Sequence, residues 1–159
     1  MDTPIDIRNY LPHRKPMLMV DMIVAMDAEK VETFFTIEED NIFIQDNTFT
    51  ESGLIENAAQ TCSSIVAKDY FVDSNNDKKE GVDVIGFISA IKSLKIHLLP
   101  KTGDTITTKA TLASKFITET YTLCTMNCVI FIKDTLLLEG EINLFIQEKP
   151  KAVNPKDAI

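Results

Sequence analysis

Tryptophan is absent from this 159-residue sequence, and histidine, cysteine and glycine are scarce, at two, three and five residues. Proton exchange by histidine near neutral pH is therefore restricted to His13 and His97. The cysteines, Cys62, Cys124 and Cys128, form no Cys-x-x-Cys pair and have no histidine close to them in sequence. Zinc sites combine such pairs with further histidine or cysteine, so we expect no metal, no cofactor and three inert thiols.

Basic residues are also in short supply, with 16 Lys and Arg against 24 Asp and Glu and a net charge of −8. Phosphate backbones are bound by clustered Lys and Arg, so nucleic acid is excluded as a partner. No apolar run approaches the roughly 18 residues of a membrane-spanning helix, and the first residues lack the pattern of a secretion signal. Together with free thiols, these absences lead us to expect a cytoplasmic protein without a membrane span.

What the sequence does contain is one long helical pattern, from Glu51 to Phe71, whose apolar residues recur at three- and four-residue spacing. Thr50 or Ser52 can cap its start. A chain of this length fits one domain, which we place at residues 1–149, with a loosely packed tail at 150–159.

Segments typical of strands surround this helix. They are residues 17–26, 30–38, 82–99, 105–113, 118–132 and 135–147, and a short helical turn is expected within 2–10. Two strands, one helix and then further strands predict an α+β fold, with an antiparallel sheet and the helix on one of its faces. Such a sheet has long edge strands, so we expect a dimer.

A polar line runs along the helix beside its apolar stripe. It consists of Glu56, Asn57, Gln60, Ser63 and Ser64. The small residues next to it would allow a neighbouring backbone to come close, which would place the Glu56 carboxylate at the edge of a crevice. The alternative is a solvent-facing stripe, because charged residues usually lie outside.

Three blocks follow one another in a recognisable order. They are Leu11-Pro-His-Arg-Lys-Pro-Met-Leu-Met-Val-Asp21, Gly53-Leu-Ile-Glu-Asn-Ala-Ala-Gln60, and the span from Gly86 through Pro100-Lys-Thr-Gly-Asp104. They cover most of residues 8–112 and resemble the hotdog-fold β-hydroxyacyl acyl-carrier-protein dehydratases of fatty-acid synthesis. The resemblance implies a hotdog fold, in which an antiparallel sheet wraps around one central helix.

The resemblance also implies an activity, the removal of water from a carrier-bound (3R)-3-hydroxyacyl thioester to give the trans-2-enoyl product. In the family a helix glutamate, here Glu56, acts with a histidine in a His-Phe-Pro-Gly segment. Backbone N–H groups at the helix start, such as that of Gly53, polarise the thioester carbonyl. This chain has no such segment; its loop is shorter, and Asn47 stands nearest to the place of that histidine.

Glu56 and His13 are therefore the candidate catalytic residues, and Asn47 or Gln60 would orient the substrate. The short loop and the amino-acid sequence around the helix start resemble a divergent branch of this family, which is associated with aryl-polyene and flexirubin-type gene clusters. The implied partners are an acyl carrier protein, the acyl thioester, and a second hotdog chain in a homodimer, a heterodimer or a higher oligomer.

Two further functions stay open. The same fold could hold an acyl chain without turnover, as the inactive half of a heterodimer, or it could act as a thioesterase in which a helix carboxylate activates water. Each reading predicts an apolar tunnel beside the helix, for which the candidate lining residues are Phe43, Leu54 and Phe87.

A carrier protein is acidic, so an acidic chain that binds it must keep a local basic surface. The candidates are Arg14, Lys15, Lys92 and Lys95. The alternative for these residues is a scatter of solvated side chains.

Overall fold

The computed structural model describes residues 4–75 and 77–150, so the predicted tail lies outside the described residues except for Pro150. In chain order the elements are β1 (Ile5–Asp6), a 3-10 helix (Ile7–Asn9), β2 (Met22–Met26), β3 (Lys30–Thr36), β4 (Ile44–Gln45), β5 (Thr48–Phe49), α1 (Glu51–Phe71), β6 (Val84–Ile96), β7 (Thr105–Ile117), β8 (Thr122–Ile132) and β9 (Thr135–Glu148).

Seven of the strands form one antiparallel sheet, in the order β1-β2-β3-β7-β8-β9-β6, while β4 and β5 make a separate hairpin. The helix α1 packs across one face of the large sheet, with contacts to β3 and to β6 through β9. The predicted α+β architecture is confirmed, because one long helix lies on a wrapped antiparallel sheet.

The helix α1 begins at Glu51 and ends at Phe71, as its periodicity predicted. Thr50 occupies the N-cap position without a side-chain hydrogen bond to the first turn, and the Leu54 amide donates to its carbonyl at 3.1 Å. Gly53 is required by packing: a Cβ there would lie 2.5 Å from Cζ of Phe49, a fully buried ring. The N-terminal turn of α1 is therefore clamped against the β4–β5 hairpin.

The first predicted strand is shorter than expected. Residues 17–26 read as one strand, but β2 begins only at Met22. The backbone of Met17 and Met19 is bound by helix side chains instead of by a neighbouring strand. This side-chain pairing keeps the segment out of the sheet and lays it along α1. The turn expected in residues 2–10 is the 3-10 helix Ile7–Asn9, preceded by β1.

The strand β6 forms one end of the sheet and pairs only with β9 among the described residues. Several of its large apolar side chains are exposed: Ile85 at 40%, Phe87 at 52% and Ile91 at 45%. The Phe87 ring stacks on Phe145 with 4.9 Å between ring centroids. This edge combines unpaired backbone groups with apolar surface over thirteen residues.

The three cysteines are buried and free. Burial raises the pKa of the Cys124 thiol to about 11, and the neighbouring Cys128 thiol together with burial raises the pKa of Cys62 well above its ordinary value. Within the described part of the chain, no helix has the length and apolar character needed to cross a membrane.

Candidate active site

His13 and Glu56 meet at the side of α1. His13 Nε2 lies 3.8 Å from Glu56 Oε1, and the two side chains are 30% and 27% exposed. The structure therefore places the two candidate catalytic groups within reach of one small molecule or one bridging water, at the rim of the domain and open to solvent.

A glutamine fixes the carboxylate of this pair. Gln60 lies one helical turn after Glu56, and its Nε2 donates to Glu56 Oε1 at 2.7 Å and to the Met17 carbonyl at 2.7 Å. Its Oε1 accepts from the Met19 amide at 2.8 Å. With 1% exposure and both its amide nitrogen and its oxygen hydrogen-bonded inside the protein, Gln60 is not accessible to substrate. Its predicted role in orienting the substrate changes to that of a residue that holds Glu56.

Asn57 ties the same segment to the sheet. Its Nδ2 donates to the Met19 carbonyl at 2.7 Å, and its Oδ1 accepts from the Thr108 hydroxyl at 2.5 Å. All of these groups are buried, so leaving any of them unpaired would cost a desolvation penalty. The helix face that carries Glu56 is thus joined to residues 17–19 by a connected polar network.

Arg14 shapes the loop that carries His13. Its Nη1 donates to the carbonyls of Leu11 and His13 at 2.9 and 2.7 Å, and its Nη2 to the Arg8 carbonyl at 3.4 Å. A guanidinium can hold several carbonyls at once because its donors form a rigid fork. Arg14 therefore fixes the loop that carries His13. This role is separate from its predicted contact with a carrier protein.

The second nitrogen of His13 is unsatisfied. Nδ1 is buried and has no hydrogen-bond partner among the described residues. His13 also borders a cavity of about 20 Å³, which is enclosed by Tyr10, Leu11, Pro12, His13, Ser63, Ala67, Phe71, Val84, Gly86 and Ile146. Such space holds about one water molecule. A water molecule or a ligand bound in this cavity could supply the missing hydrogen-bond partner of His13 Nδ1.

The other predicted substrate residues lie apart from one another. Asn47 occupies the exposed turn of the β4–β5 hairpin, where its φ is 61°, and its carbonyl accepts from Thr102. Phe43 packs edge-on against Phe49 at the helix start. Leu54 is fully buried in the core, whereas Phe87 is exposed on β6. In this single chain the three apolar residues do not line one tunnel, since the core encloses one and the open edge presents another.

The predicted oxyanion donor, Gly53, is in the first turn of α1, three residues before Glu56, and is buried. Its amide belongs to the turn whose N–H groups have no intrahelical acceptor. The Phe49 ring occupies the space next to the Gly53 Cα atom, where another residue would have its Cβ atom.

The predicted carrier-binding lysines are partly neutralised. Lys15 Nζ pairs with Glu38 at 2.8 Å and Lys92 with Glu141 at 3.2 Å, while Lys95 is exposed on β6. The Glu38 carboxylate raises the pKa of Lys15. His97 Nε2 lies 3.5 Å from Glu139 Oε1, and both side chains are partly exposed. None of these residues contacts the His13–Glu56 pair in the part of the chain that the structure describes.

Residues 4–75 and 77–150 contain no cluster of three or more His, Cys, Asp and Glu side chains placed to hold a metal ion. The arrangement instead offers an imidazole and a carboxylate on one rim, which are groups suited to moving protons. The sequence pattern placed Asn57 on the polar line of the helix without indicating a role for it, and it did not predict that the Met17–Met19 backbone is part of the site. The helical spacing of Asn57 and Gln60 next to Glu56 was the signal available for them.

Comparison with solved structures places this chain among hotdog folds. It superposes on a chain of the dehydratase heterocomplex ApeI:P from Xenorhabdus doucetiae with a TM-score of 0.73 and 16% identity, covering 95% of this chain and 94% of that one. Protein PH1136 of Pyrococcus horikoshii matches with a TM-score of 0.64 and 11% identity, over 93% and 97% of the two chains. A hypothetical thioesterase with coenzyme A from Streptococcus pneumoniae gives 0.54 and 13%, over 81% and 87%. At these identities the likeness is one of fold.

Comparison with curated proteins gives no match. A family model described as ApeP-like, ApeP dehydratase, matches residues 5–154, which is nearly the whole chain. The match includes the loop with His13 and the helix with Glu56. The resemblance stated from the sequence is thereby confirmed, and the chain belongs to the ApeP-like dehydratase family.

Proposed function

We propose that this protein removes water from a carrier-bound 3-hydroxyacyl thioester, with His13 and Glu56 as the reacting groups. The observation that carries the proposal is the 3.8 Å approach of His13 Nε2 to Glu56 Oε1 in a chain without the His-Phe-Pro-Gly segment. Of the two histidines, His13 is the one beside the helix carboxylate. A proton-transfer pair is thus assembled from a different loop.

The reaction balances with these two groups alone. The neutral imidazole of His13 removes the proton from the carbon next to the thioester carbonyl. The electron pair left on that carbon forms the new double bond as the 3-hydroxyl departs. The carboxylic acid form of Glu56 gives its proton to the hydroxyl, which leaves as water. Return of one proton from the imidazolium to the carboxylate restores the pair.

The α-proton is acidic only while the thioester carbonyl is polarised. The free N–H groups at the start of α1, including that of Gly53, are the donors that the fold offers for this purpose. Gln60 contributes by holding Glu56 Oε1 in a fixed position, so that the acid does not need to be ordered during the reaction.

We also propose that a second hotdog chain pairs with the edge strand β6. A thirteen-residue edge with exposed Ile85, Phe87 and Ile91 is the surface that a neighbouring strand would cover. The relative in the ApeI:P heterocomplex is a dehydratase found with a partner, which supports pairing with a different hotdog chain. A homodimer through the same strand is the other arrangement that the edge permits.

The experiment is turnover of a 3-hydroxyacyl carrier thioester, with separate detection of enoyl product and free acid. We expect enoyl product from the purified chain or from the chain mixed with a hotdog partner, and its loss in Glu56→Gln and in His13→Ala. Free acid without enoyl product would identify a thioesterase. Binding of the acyl chain without any product, alone and with a partner, would identify a binding subunit.

A further inference from the structure

The net charge of −8 makes one feature of the surface unexpected, a groove of about 400 Å³ at the C-terminal end of α1. Four cationic side chains line it: Arg8, Arg14, Lys78 and Lys79. Two carboxylates also line it, Glu80 and Asp83, and Asp83 is already paired with Lys149 at 2.8 Å. Cations therefore outnumber free carboxylates in this groove, in contrast to the chain as a whole.

The two lysines are the cations with the least local neutralisation. Arg8 forms an ion pair with Asp6 at 2.6 Å. The Arg14 guanidinium donates to the backbone carbonyls of Leu11 and His13. Lys78 and Lys79 are exposed, and neither forms a salt bridge within residues 4–75 and 77–150; Lys79 Nζ donates to the Asp69 carbonyl at 3.4 Å. The helix carbonyls at this end favour cations, and that of Phe71 is already bound by the Lys79 amide.

The groove adjoins the cavity beside His13, because Leu11, Pro12 and Phe71 line both. The floor of the cavity is one stripe of α1, along which Ser63, Ala67 and Phe71 follow at four-residue spacing. The same stripe continues back through Gln60 to Glu56. The small side chains of Ser63 and Ala67 form the helix side of this cavity, between Phe71 at the groove and the level of His13.

The arm that carries acyl groups is long enough to pass the cavity from end to end. Phe71 lies fifteen residues after Glu56 in the helix, which corresponds to about 22 Å, and eight residues after Ser63, about 12 Å. The arm of an acyl carrier or of coenzyme A runs from a phosphate to the thioester sulfur through roughly 13 bonds, or about 16 Å when extended. An extended arm with its phosphate near Phe71 would therefore pass Ser63 and end about level with Gln60, one helical turn short of Glu56, on the side of the cavity that His13 lines.

We infer that the groove lined by Lys78 and Lys79 binds the phosphate of a phosphopantetheine arm, whose chain then lies along Ser63 and Ala67 toward His13. The inference rests on the proposed function for the identity of the thioester. It assigns recognition of the arm to this groove and not to Lys15, Lys92 or Lys95. The 20 Å³ cavity is too narrow for the arm, so the roof formed by residues 10–13 must move when the arm enters.

The test compares three thioesters of one 3-hydroxyacyl group, on carrier protein, on coenzyme A and on pantetheine without phosphate. The variant is Lys78→Gln with Lys79→Gln. The control is Lys30→Gln with Lys101→Gln, which removes the same charge from exposed lysines elsewhere. We expect the groove variant to raise KM for both phosphate-bearing substrates by about five- to tenfold, from the loss of two ionic contacts. Its kcat should be unchanged, and so should its KM for the pantetheine thioester.

An equal rise in KM for all three substrates, or the same rise in the control variant, would overturn the assignment. A larger rise for the carrier substrate than for coenzyme A would still support it and would show that the lysines also touch the carrier protein itself.

Binding separates this inference from the proposed function. Calorimetric titration of phosphopantetheine and of pantetheine into the wild-type chain needs no turnover. We expect tighter binding of the phosphate form, and this preference should disappear in the groove variant and persist in the control. If the chain turns over none of the thioesters yet keeps this pattern, the proposed function fails and the groove assignment holds. Equal binding of phosphopantetheine and pantetheine by the wild-type chain would contradict the assignment of the groove as a phosphate site.

Discussion

Gln60 Nε2 lies 2.7 Å from Glu56 Oε1, the same oxygen that faces His13 Nε2 at 3.8 Å. One helix residue therefore holds the acid of the proposed pair, and through the Met17 carbonyl and Met19 amide it also holds the segment that follows the His13 loop. The geometry of the site thus depends on a side chain that is itself buried from substrate. Several consequences can be measured.

The first concerns the reacting pair. Glu56→Gln keeps the size of the side chain but removes the proton that the leaving hydroxyl needs, and His13→Gln removes the base. We expect each variant to lose at least about a hundredfold in kcat, the usual contribution of one acid–base group. Steady-state kinetics of enoyl formation provides the measurement. Both side chains are partly exposed, so thermal unfolding should change little. Full activity in either variant would remove that residue from the mechanism.

The second concerns Gln60. Replacement by Leu leaves the buried Met19 amide without a partner, which costs about 1–3 kcal/mol, whereas the carbonyl of Met17, a residue that is 39% exposed, can bind water instead. We expect the free energy of unfolding to fall by about 1–3 kcal/mol in denaturant titrations. Because Glu56 loses its donor, kcat should also fall while KM for the thioester stays close to wild type.

A purely structural Gln60 would behave differently from a positioning residue. Asn57→Leu breaks bonds to the same Met19 backbone and to Thr108 but does not touch Glu56, so it serves as a control of similar cost in stability. If both variants lowered kcat equally, the direct bond between Gln60 and Glu56 would have no special importance for turnover.

The third concerns the start of the helix. In Gly53→Ala the new Cβ would lie 2.5 Å from Phe49 Cζ and 2.9 Å from Phe43 Cβ, and the Phe49 ring is fully buried. Overpacking of this kind costs about 1–3 kcal/mol. Chemical denaturation should show that loss, whereas Ser52→Ala at the exposed neighbouring position should change stability little. Combining Gly53→Ala with Phe49→Leu should cost less than the sum of the two single changes. Simple additivity would mean that the clash is relieved elsewhere.

The fourth concerns pH and Asp21. Burial raises the pKa of this carboxyl above its ordinary value of 3.8, although the Thr36 amide bonded to it opposes the rise. The folded state thus binds this proton more firmly than the unfolded chain, and stability declines as pH rises through that range. Asp21→Asn keeps an acceptor for Thr36 without a charge. At neutral pH we expect a gain of roughly 0.3–1 kcal/mol, kept small because the carboxylate is partly solvated.

At Asp27 the pKa shift, and therefore the pH dependence of stability, has the opposite sign to that at Asp21. Backbone hydrogen bonds from Glu29 and Lys30 lower the pKa of this carboxyl. Asp27→Asn should therefore destabilise at neutral pH, and its effect should shrink as the solution is acidified. Denaturant midpoints across a pH series would check both variants. A stabilising Asp27→Asn or a destabilising Asp21→Asn would contradict the account of these two sites.

The fifth concerns the thiols. All three thiols are buried and therefore out of reach of a reagent in the folded chain. Burial also raises the pKa of Cys124 to about 11, and the Cys128 thiol raises the pKa of Cys62, whereas hydrogen bonding to Cys62 lowers the pKa of Cys128. We expect a thiol-specific disulfide reagent to leave the native protein unmodified at pH 8 and to titrate three groups after unfolding. Rapid reaction of the native protein would show that the core opens near these cysteines.

The sequence was sufficient for the central helix and most strands, because their periodic apolar patterns extend over many residues. It was less informative about residues 17–21, whose apolar character is typical of a strand. Their backbone is held by Gln60 and Asn57, which are 41 and 38 positions away from Met19. A local pattern contains no information on contacts across such distances.

The same limit applies to charge. Lys15 and Lys92 read as free cations, but their neutralising partners, Glu38 and Glu141, come from other parts of the chain. The basic groove likewise combines residues 8–14 with residues 78–83, which follow α1. Which lysines and arginines are left without a carboxylate partner therefore depends on contacts that form only when the chain folds.

The bare edge of β6 also has a consequence for handling the protein. Over thirteen residues it presents backbone donors and acceptors next to exposed Phe87 and Ile91. Such an edge can template pairing with any extended segment, including that of an incompletely folded copy. A chain produced in excess of whatever covers this strand should lose solubility as its concentration rises. A charged substitution on that edge, such as Phe87→Lys, should raise the recoverable yield.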